Sequence, residues 1–153
     1  MNETSKKALE GKEKYAVVVE AGLFHYPLNR GEKPHLTGNR CNICDKRFFP
    51  KRTGCPYCFK DGDMEDVELD RYGIIYACTL VHIPSPSGIK APYAYGYVDI
   101  PVDRIRVFGL FTGAEPSSFH AGQKVELVIE PIKTDKNGQE VIGYKFKPVE
   151  NRH

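Results

Sequence analysis

From residue 71 onward, apolar and polar side chains alternate. GIIYACTLVHI sets Ile74, Tyr76, Cys78 and Leu80 on one face and Ile75, Ala77, Thr79 and Val81 on the other, the period of a β-strand. Four more segments follow: YAYGYVDI, RIRVFGLFTG, KVELVIEPI and EVIGYKFKPV. Between them stand turn-forming stretches: PSPSG at 84–88, then PVD, AEPSSFHAG and KTDKNGQ. KNG suits a hairpin, because Asn and Gly accept positive φ. Five strands in about 80 residues, with no helical pattern between them, predict a small closed β-barrel of the OB type, since closure removes exposed sheet edges. An open sandwich is the alternative.

Upstream the period changes. Residues 4–20 place Ala8, Leu9, Tyr15, Ala16, Val18 and Val19 near one helical face, although Gly11 interrupts it. AGLFHYPLNRGEKPHLTGNR, 21–40, contains Pro27, Gly31, Pro34 and Gly38 and reads as an irregular connection anchored by Leu23, Phe24 and Leu36. The predicted architecture is therefore mainly β: an N-terminal helix and connection over 1–35, a cysteine module with an acidic connector over 36–70, and a barrel over 71–153.

The bulk numbers are those of a folded domain: 153 residues, 41% hydrophobic and 27% charged. No apolar run approaches the roughly 18 residues that would span a bilayer. The opening MNETSKKALEGKEK lacks the apolar stretch of a signal peptide. The expected location is the cytoplasm, where thiols stay reduced. A net charge of +2 does not predict a polyanion partner. Its distribution is uneven: Lys46, Arg47, Lys51 and Arg52 precede an acidic run of Asp61, Asp63, Glu65, Asp66, Glu68 and Asp70. That run argues against general nucleic-acid binding, and the basic group by itself reads as a solvated loop.

The strongest chemical signal is CNICDKRFFPKRTGCPYC, residues 41–58. Two Cys-x-x-Cys knuckles at this separation can present Cys41, Cys44, Cys55 and Cys58 as four thiolates around one ion. Zinc suits them best, and a rubredoxin-like iron would use the same ligands. Four thiolates fill the coordination shell, which points to a structural rather than a catalytic metal.

Nothing else in the chain reads as a catalytic centre. Cys78 lies within a predicted strand and reads as a small buried hydrophobe. His25, His35, His82, His120 and His153 form no ligand pair. Phosphate-loop, nucleophile-elbow and dinucleotide fingerprints are missing. Tyr93, Tyr95 and Tyr97 share a strand face, and Arg104 and Arg106 open the next strand. Such a group can stack a base and hold phosphate, as in OB folds that bind single strands. It could equally hold the nucleotide of a coenzyme A thioester, or simply pack against the barrel or a partner.

GLF at 22–24 and HLTGNRCNICDKRFFPKRTGCPYC at 35–58 resemble the signature of a family of acyl-CoA-associated proteins. These join an N-terminal helix, a rubredoxin-like zinc ribbon and a C-terminal OB fold. TLVHIPS, PYAYGYVDI, VFGLFTG and GYKFKPV are similar to that family's barrel strands. The resemblance covers about residues 20–149. It implies a non-catalytic accessory subunit of a thiolase-type complex, or of hydratases or aldolases acting on acyl-CoA. The partner would hold the catalytic residues, and the assembly would be a hetero-oligomer without a membrane component. It maps a structural zinc onto Cys41, Cys44, Cys55 and Cys58. It also makes Lys90, Tyr93, Tyr95, Arg104 and Arg106 candidates for contact with coenzyme A. The N-terminal helix and part of the ribbon are then expected to dock the partner. Two departures stand out: many relatives carry Gly where this chain has Asp45, and a Trp in the N-terminal helix where this chain has none. The alternative readings are a single-stranded nucleic-acid-binding module and a rubredoxin-like electron carrier.

Overall fold

The structure, a computed structural model, describes residues 17–18, 23–25, 33–59 and 63–149. The strands in chain order are β1 (Val17–Val18), β2 (Phe24–His25), β3 (His35–Cys41), β4 (Arg47–Phe48), β5 (Met64–Glu68), β6 (Tyr72–Val81), β7 (Tyr93–Ile100), β8 (Ile105–Phe111), β9 (Lys124–Thr134) and β10 (Glu140–Pro148). A 3₁₀ turn, Pro116–Ser118, precedes β9.

Strands β6 to β10 close on themselves. β6 pairs with β7 and β7 with β8, both antiparallel; β8 runs parallel to β10, β10 antiparallel to β9, and β9 returns to β6. This is the five-stranded closed barrel that the alternation predicts. Its interior holds Ile75, Val98, Ile100, Val107, Val125, Leu127 and Phe146, each at most 1% exposed.

β3 is the spine of the preceding module, with β4 and β5 on its sides and β2 against its first two residues. The expected irregular connection over 21–40 is thus partly strand. The acidic connector contributes β5, where Glu65, Asp66 and Glu68 stay exposed while Met64 and Val67 are half-buried. The two half-buried residues stand three apart, so no period-two pattern marks this strand in the sequence.

The two modules share one core. Leu36 of β3 and Leu69, just beyond β5, are buried in the same cluster as Ile75, Val98 and Phe146, with Phe49 and Val67 packed against it. Phe49 meets Tyr144 of β10 edge-on at 5.7 Å, and the Tyr144 hydroxyl donates to the Phe108 carbonyl at 2.6 Å. Burial behind this lid pushes the Tyr144 hydroxyl up to about 12.

Two expectations need correction. No α-helix occurs among the described residues, and Val17–Val18, inside the 4–20 segment expected to be helical, form β1. The rest of that segment lies outside the described residues. β10 meets β8 only at Lys145 and Phe146, so its backbone is open at Val141 and Ile142, where β1 pairs parallel to it. A Val-Val pair suits such a ladder, and edge pairing overrides the weak helical pattern. Strand β6 also does not alternate throughout. Ile75 pairs with Val98 but Ala77 with Tyr97, leaving Tyr76 as an inserted residue. The bulge reverses the faces, so both Ile75 and Cys78 turn to the core. Gly96 lies opposite Cys78; a Cβ there would collide with the Ala77 carbonyl. Cys78 is half-buried, and its thiol donates to the Phe119 carbonyl at 3.4 Å. Among the described residues, no helix is long and apolar enough to cross a membrane.

Candidate metal centre and adjoining cleft

The knuckles repeat one geometry. In the first, the Asp45 N–H donates to the Cys41 carbonyl at 2.9 Å; in the second, the Phe59 N–H donates to the Cys55 carbonyl at 3.2 Å. Each turn ends on a residue of positive φ, 64° at Asp45 and 55° at Phe59. Glycine meets that requirement without a side-chain clash. Asp is among the residues that tolerate it. Here the Asp45 carboxylate also takes a hydrogen bond from Arg40 at 2.8 Å.

This backbone brings the Sγ atoms of Cys41, Cys44, Cys55 and Cys58 within 4.8 Å of one another, none of them in a disulfide. A tetrahedral zinc with Zn–S bonds of about 2.3 Å needs sulfurs about 3.8 Å apart. The observed Cys41–Cys58 and Cys44–Cys55 separations are 3.8 and 3.3 Å. The donor set and its size suit zinc. The backbone N–H of Cys44 points at the Cys41 sulfur and lowers its pKa, against the opposing effect of burial. At Cys55 burial raises the value, but the N–H groups of Cys58 and Tyr57 outweigh it and hold the thiol down to about 6. At Cys44 the Lys46 N–H lowers it, but the Cys55 sulfur, burial and Cys41 together push it up to about 11. The first cysteine of each knuckle is thus shifted toward the thiolate.

The HLTGNRC segment supports the knuckles residue by residue. A Cβ at Gly38 would strike the Phe48 carbonyl and Leu69, so only glycine lets β4 lie this close. Asn39 is buried; its amide donates to the Arg52 carbonyl at 2.6 Å and accepts from the Arg52 N–H at 3.1 Å, fixing the inner loop. Arg40 bridges Asp45 and Glu65.

One ion pair ties the module to the barrel. Asp103, buried just before β8, receives the Arg47 guanidinium and the Asp70 N–H, the latter at 2.6 Å. Removing Arg47 strands a buried carboxylate. Breaking a fully buried pair costs about 3–5 kcal/mol, but Arg47 keeps 34% of its side chain exposed. For Arg47→Ala we expect a loss of roughly 2–3 kcal/mol in a urea unfolding curve, with Arg47→Lys recovering part of it. An unchanged midpoint would show that the clamp carries no stability.

Beside this clamp opens a cleft of about 580 Å³ between the modules. Lys46, Arg52 and Tyr57 line it from one side, Arg104 and Arg106 from the other. Lys46 lies over the Tyr57 ring, 4.7 Å from its centroid. Arg104 holds a positive φ of 55°. Among the described residues, Lys46, Arg52 and Arg104 have no carboxylate partner, whereas Lys51 is bound to Asp66. Arg106 is engaged on the outer wall by both oxygens of Asp99, at 2.6 and 3.1 Å.

Of the five residues that sequence offers for coenzyme A, Arg104 and Arg106 reach this cleft. Tyr93 and Tyr95 lie on the outer face of β7, and Lys90 is exposed in the loop before it. Lys46, Arg52 and Tyr57 are cleft residues that were not in that set. Lys46 and Arg52 belong to the basic loop KRFFPKR, which beside a closed metal shell reads as a candidate docking or phosphate-facing surface, whereas Tyr57 carries no advance signal.

Comparison with known proteins gives consistent relationships. The family model described as "ChsH2, rubredoxin-like zinc ribbon domain" matches residues 29–65, and "ChsH2, C-terminal OB-fold domain" matches 66–130. A benzoylsuccinyl-CoA thiolase subunit BbsA from Thauera aromatica is 36% identical over 119 residues, covering 78% of this chain and 80% of that one. Its namesake from Geobacter metallireducens is 31% identical over 147 residues, covering 96% and 97%. A DUF35 domain-containing scaffold protein of Methanocaldococcus jannaschii is 34% identical over 122 residues, covering 78% and 86%. Among solved structures, the Ltp2-ChsH2(DUF35) aldolase aligns over 74% of this chain and 84% of that one, with a TM-score of 0.61 and 24% identity, showing the same fold.

Proposed function

Since this chain belongs to the ChsH2-type family of zinc-ribbon and OB-fold proteins, we propose that it is the zinc-stabilised accessory subunit of a thiolase-type complex acting on acyl-CoA. The observation that carries this reading is the relationship to thiolase subunits, one of which aligns over 96% of the chain. The site chemistry supports it. The four-thiolate cluster leaves a bound metal no open position for substrate. The remaining cysteine, Cys78, hydrogen-bonds a backbone carbonyl rather than an activating base. In this reading Cys41, Cys44, Cys55 and Cys58 hold zinc, which supplies folding energy and no chemistry. The catalytic thiol and bases belong to the partner. Lys46, Arg52 and Arg104 offer charge to the phosphates of coenzyme A at the cleft, and benzoylsuccinyl-CoA is the substrate suggested by the two BbsA relatives. A cytoplasmic setting, where the thiols stay reduced, belongs to the same proposal.

The nucleic-acid alternative loses support. Arg40 is paired with Glu65, Lys51 with Asp66 and Arg47 with Asp103, while exposed carboxylates run along β5. Two of the loop's four cations, Arg47 and Lys51, are thus neutralised beside an acidic strand that repels a phosphodiester backbone.

The test is affinity purification of the tagged chain from its own cells. We expect a thiolase-superfamily subunit to co-purify and the complex to cleave a 3-oxoacyl-CoA with free coenzyme A. The isolated chain should be folded, contain zinc and lack that activity. Thiolysis by the isolated chain would overturn the accessory reading.

A further inference from the structure

The outer face of β6, β7 and β8 carries aromatic rings where solvent would favour polar side chains. Tyr76, Tyr97 and Phe108 remain 55, 47 and 47% exposed. Tyr97 and Phe108 stand directly opposite in the β7–β8 register, with ring centroids 5.7 Å apart and edge-on. Tyr95 closes on Phe108 at 5.3 Å, and Tyr93 on Tyr95 at 6.3 Å. Tyr76 comes from the bulge in β6, and the Arg106 guanidinium lies over its ring, 3.4 Å from the centroid.

Folding does not need these rings outside. The inward positions of the same strands, Ala94, Val98, Ile100 and Val107, already fill the barrel. A contiguous exposed aromatic patch of this kind marks an interaction surface. Tyr and Arg are also the residues that concentrate binding energy at the centres of protein interfaces. The charge pattern says what kind of surface would fit. Among the described residues, the cation at the centre is Arg106, neutralised within the patch by Asp99, so the centre can be covered without a counter-charge from outside. On the cleft side, Lys46 and Arg104 lack carboxylate partners among the described residues.

We propose that this face docks the catalytic partner subunit, through a patch on that subunit that is apolar and brings no net charge to the Arg106–Asp99 pair, leaving Lys46 and Arg104 to the cleft. The inference rests on the accessory-subunit reading and adds the surface to it. It adds the barrel wall to the docking expected of the N-terminal segment and part of the ribbon. Arg106 belongs to both the aromatic face and the cleft lining. A partner seated here therefore borders the mouth of the cleft.

The experiment compares tagged full-length wild type with Phe108→Lys and, independently, Tyr97→Ser, purified from the native cells. Co-purified thiolase-superfamily subunit is quantified by mass spectrometry. Each variant is expected to retain zinc and its melting temperature and to lose at least tenfold of the partner, while Phe108→Tyr keeps it. Full retention of the partner by both folded variants overturns this proposal and leaves the accessory reading intact. A wild type that brings down no such subunit overturns the accessory reading and this proposal with it. An isolated wild type that is a dimer by light scattering, and a monomer after Phe108→Lys, overturns it in favour of self-association.

Discussion

Stripping the metal, by chelation or by Cys55→Ser, is expected to melt the ribbon and to destabilise the barrel with it. The knuckles contain little apolar material of their own: Cys41, Cys55 and Phe48, with Cys44, Cys58 and Met64 at the margin. A structural zinc in a small module contributes on the order of 10 kcal/mol of folding free energy, more than such a cluster can replace. The effect spreads because Leu36 and Leu69, which flank the knuckles in the chain, are part of the barrel core. Thermal denaturation should show loss of about one zinc equivalent together with a fall in the melting temperature well beyond 10 °C. Chelated protein that melts like the untreated sample would refute a structural role for the cluster.

Acid should do the same, in a predictable sense. In the metal-free protein Cys55 is held down to about 6 and Cys44 pushed up to about 11, with their sulfurs 3.3 Å apart. The lowered Cys55 stabilises the fold above its unfolded value and loses that contribution as pH falls through about 6. The raised Cys44 stabilises below its unfolded value and loses that contribution as pH rises through about 11. Around neutrality Cys44 thus keeps a proton that zinc must expel. Zinc titration in weak buffer should release protons, and affinity should fall as the solution is acidified.

The second large effect is expected at Leu36, which sits in the strand leading to the first knuckle but is fully buried in the barrel cluster. Leu→Ala at such a site costs roughly 2–5 kcal/mol, through lost apolar contact and the cavity left behind. For Leu36→Ala we expect a loss near the middle of that range and a melting temperature lower by roughly 10 °C. The transition should remain single and the zinc content unchanged. Two separate transitions, with the barrel melting at its original temperature, would show that the modules fold independently.

The barrel was largely legible in advance. YAYGYVDI became β7 residue for residue, and the KNG turn lies between β9 and β10 where a hairpin was expected. A half-buried strand writes its period into the chain, and Gly, Pro and Asn mark where it must stop. β6 shows the limit of that rule. Its composition reads as continuous alternation, yet the inserted Tyr76 reverses the faces. Bulges depend on the partner strand, here on Gly96 allowing close approach, and a single strand's pattern does not contain its partner. β5 carries no such period at all: its half-buried residues, Met64 and Val67, stand three apart, and its other positions are carboxylates. β1 was missed because pairing with the open edge of β10 is a long-range event that local helical spacing does not register.

The candidate sites divide in the same way. The sequence by itself determined the cysteine cluster, because two Cys-x-x-Cys knuckles need only local turns to present their sulfurs, and the intervening loop brings them together. It also determined the five barrel strands and the family. Only the tertiary structure decided which cations are neutralised, placing Arg47 on Asp103 and Arg106 on Asp99 while leaving Arg104 at the cleft. It alone turned Tyr76, Tyr97 and Phe108 into one exposed face. Those facts depend on residues far apart in the chain being brought within a few ångströms. Charge pairing and burial are properties of distance in space, which a linear pattern does not carry.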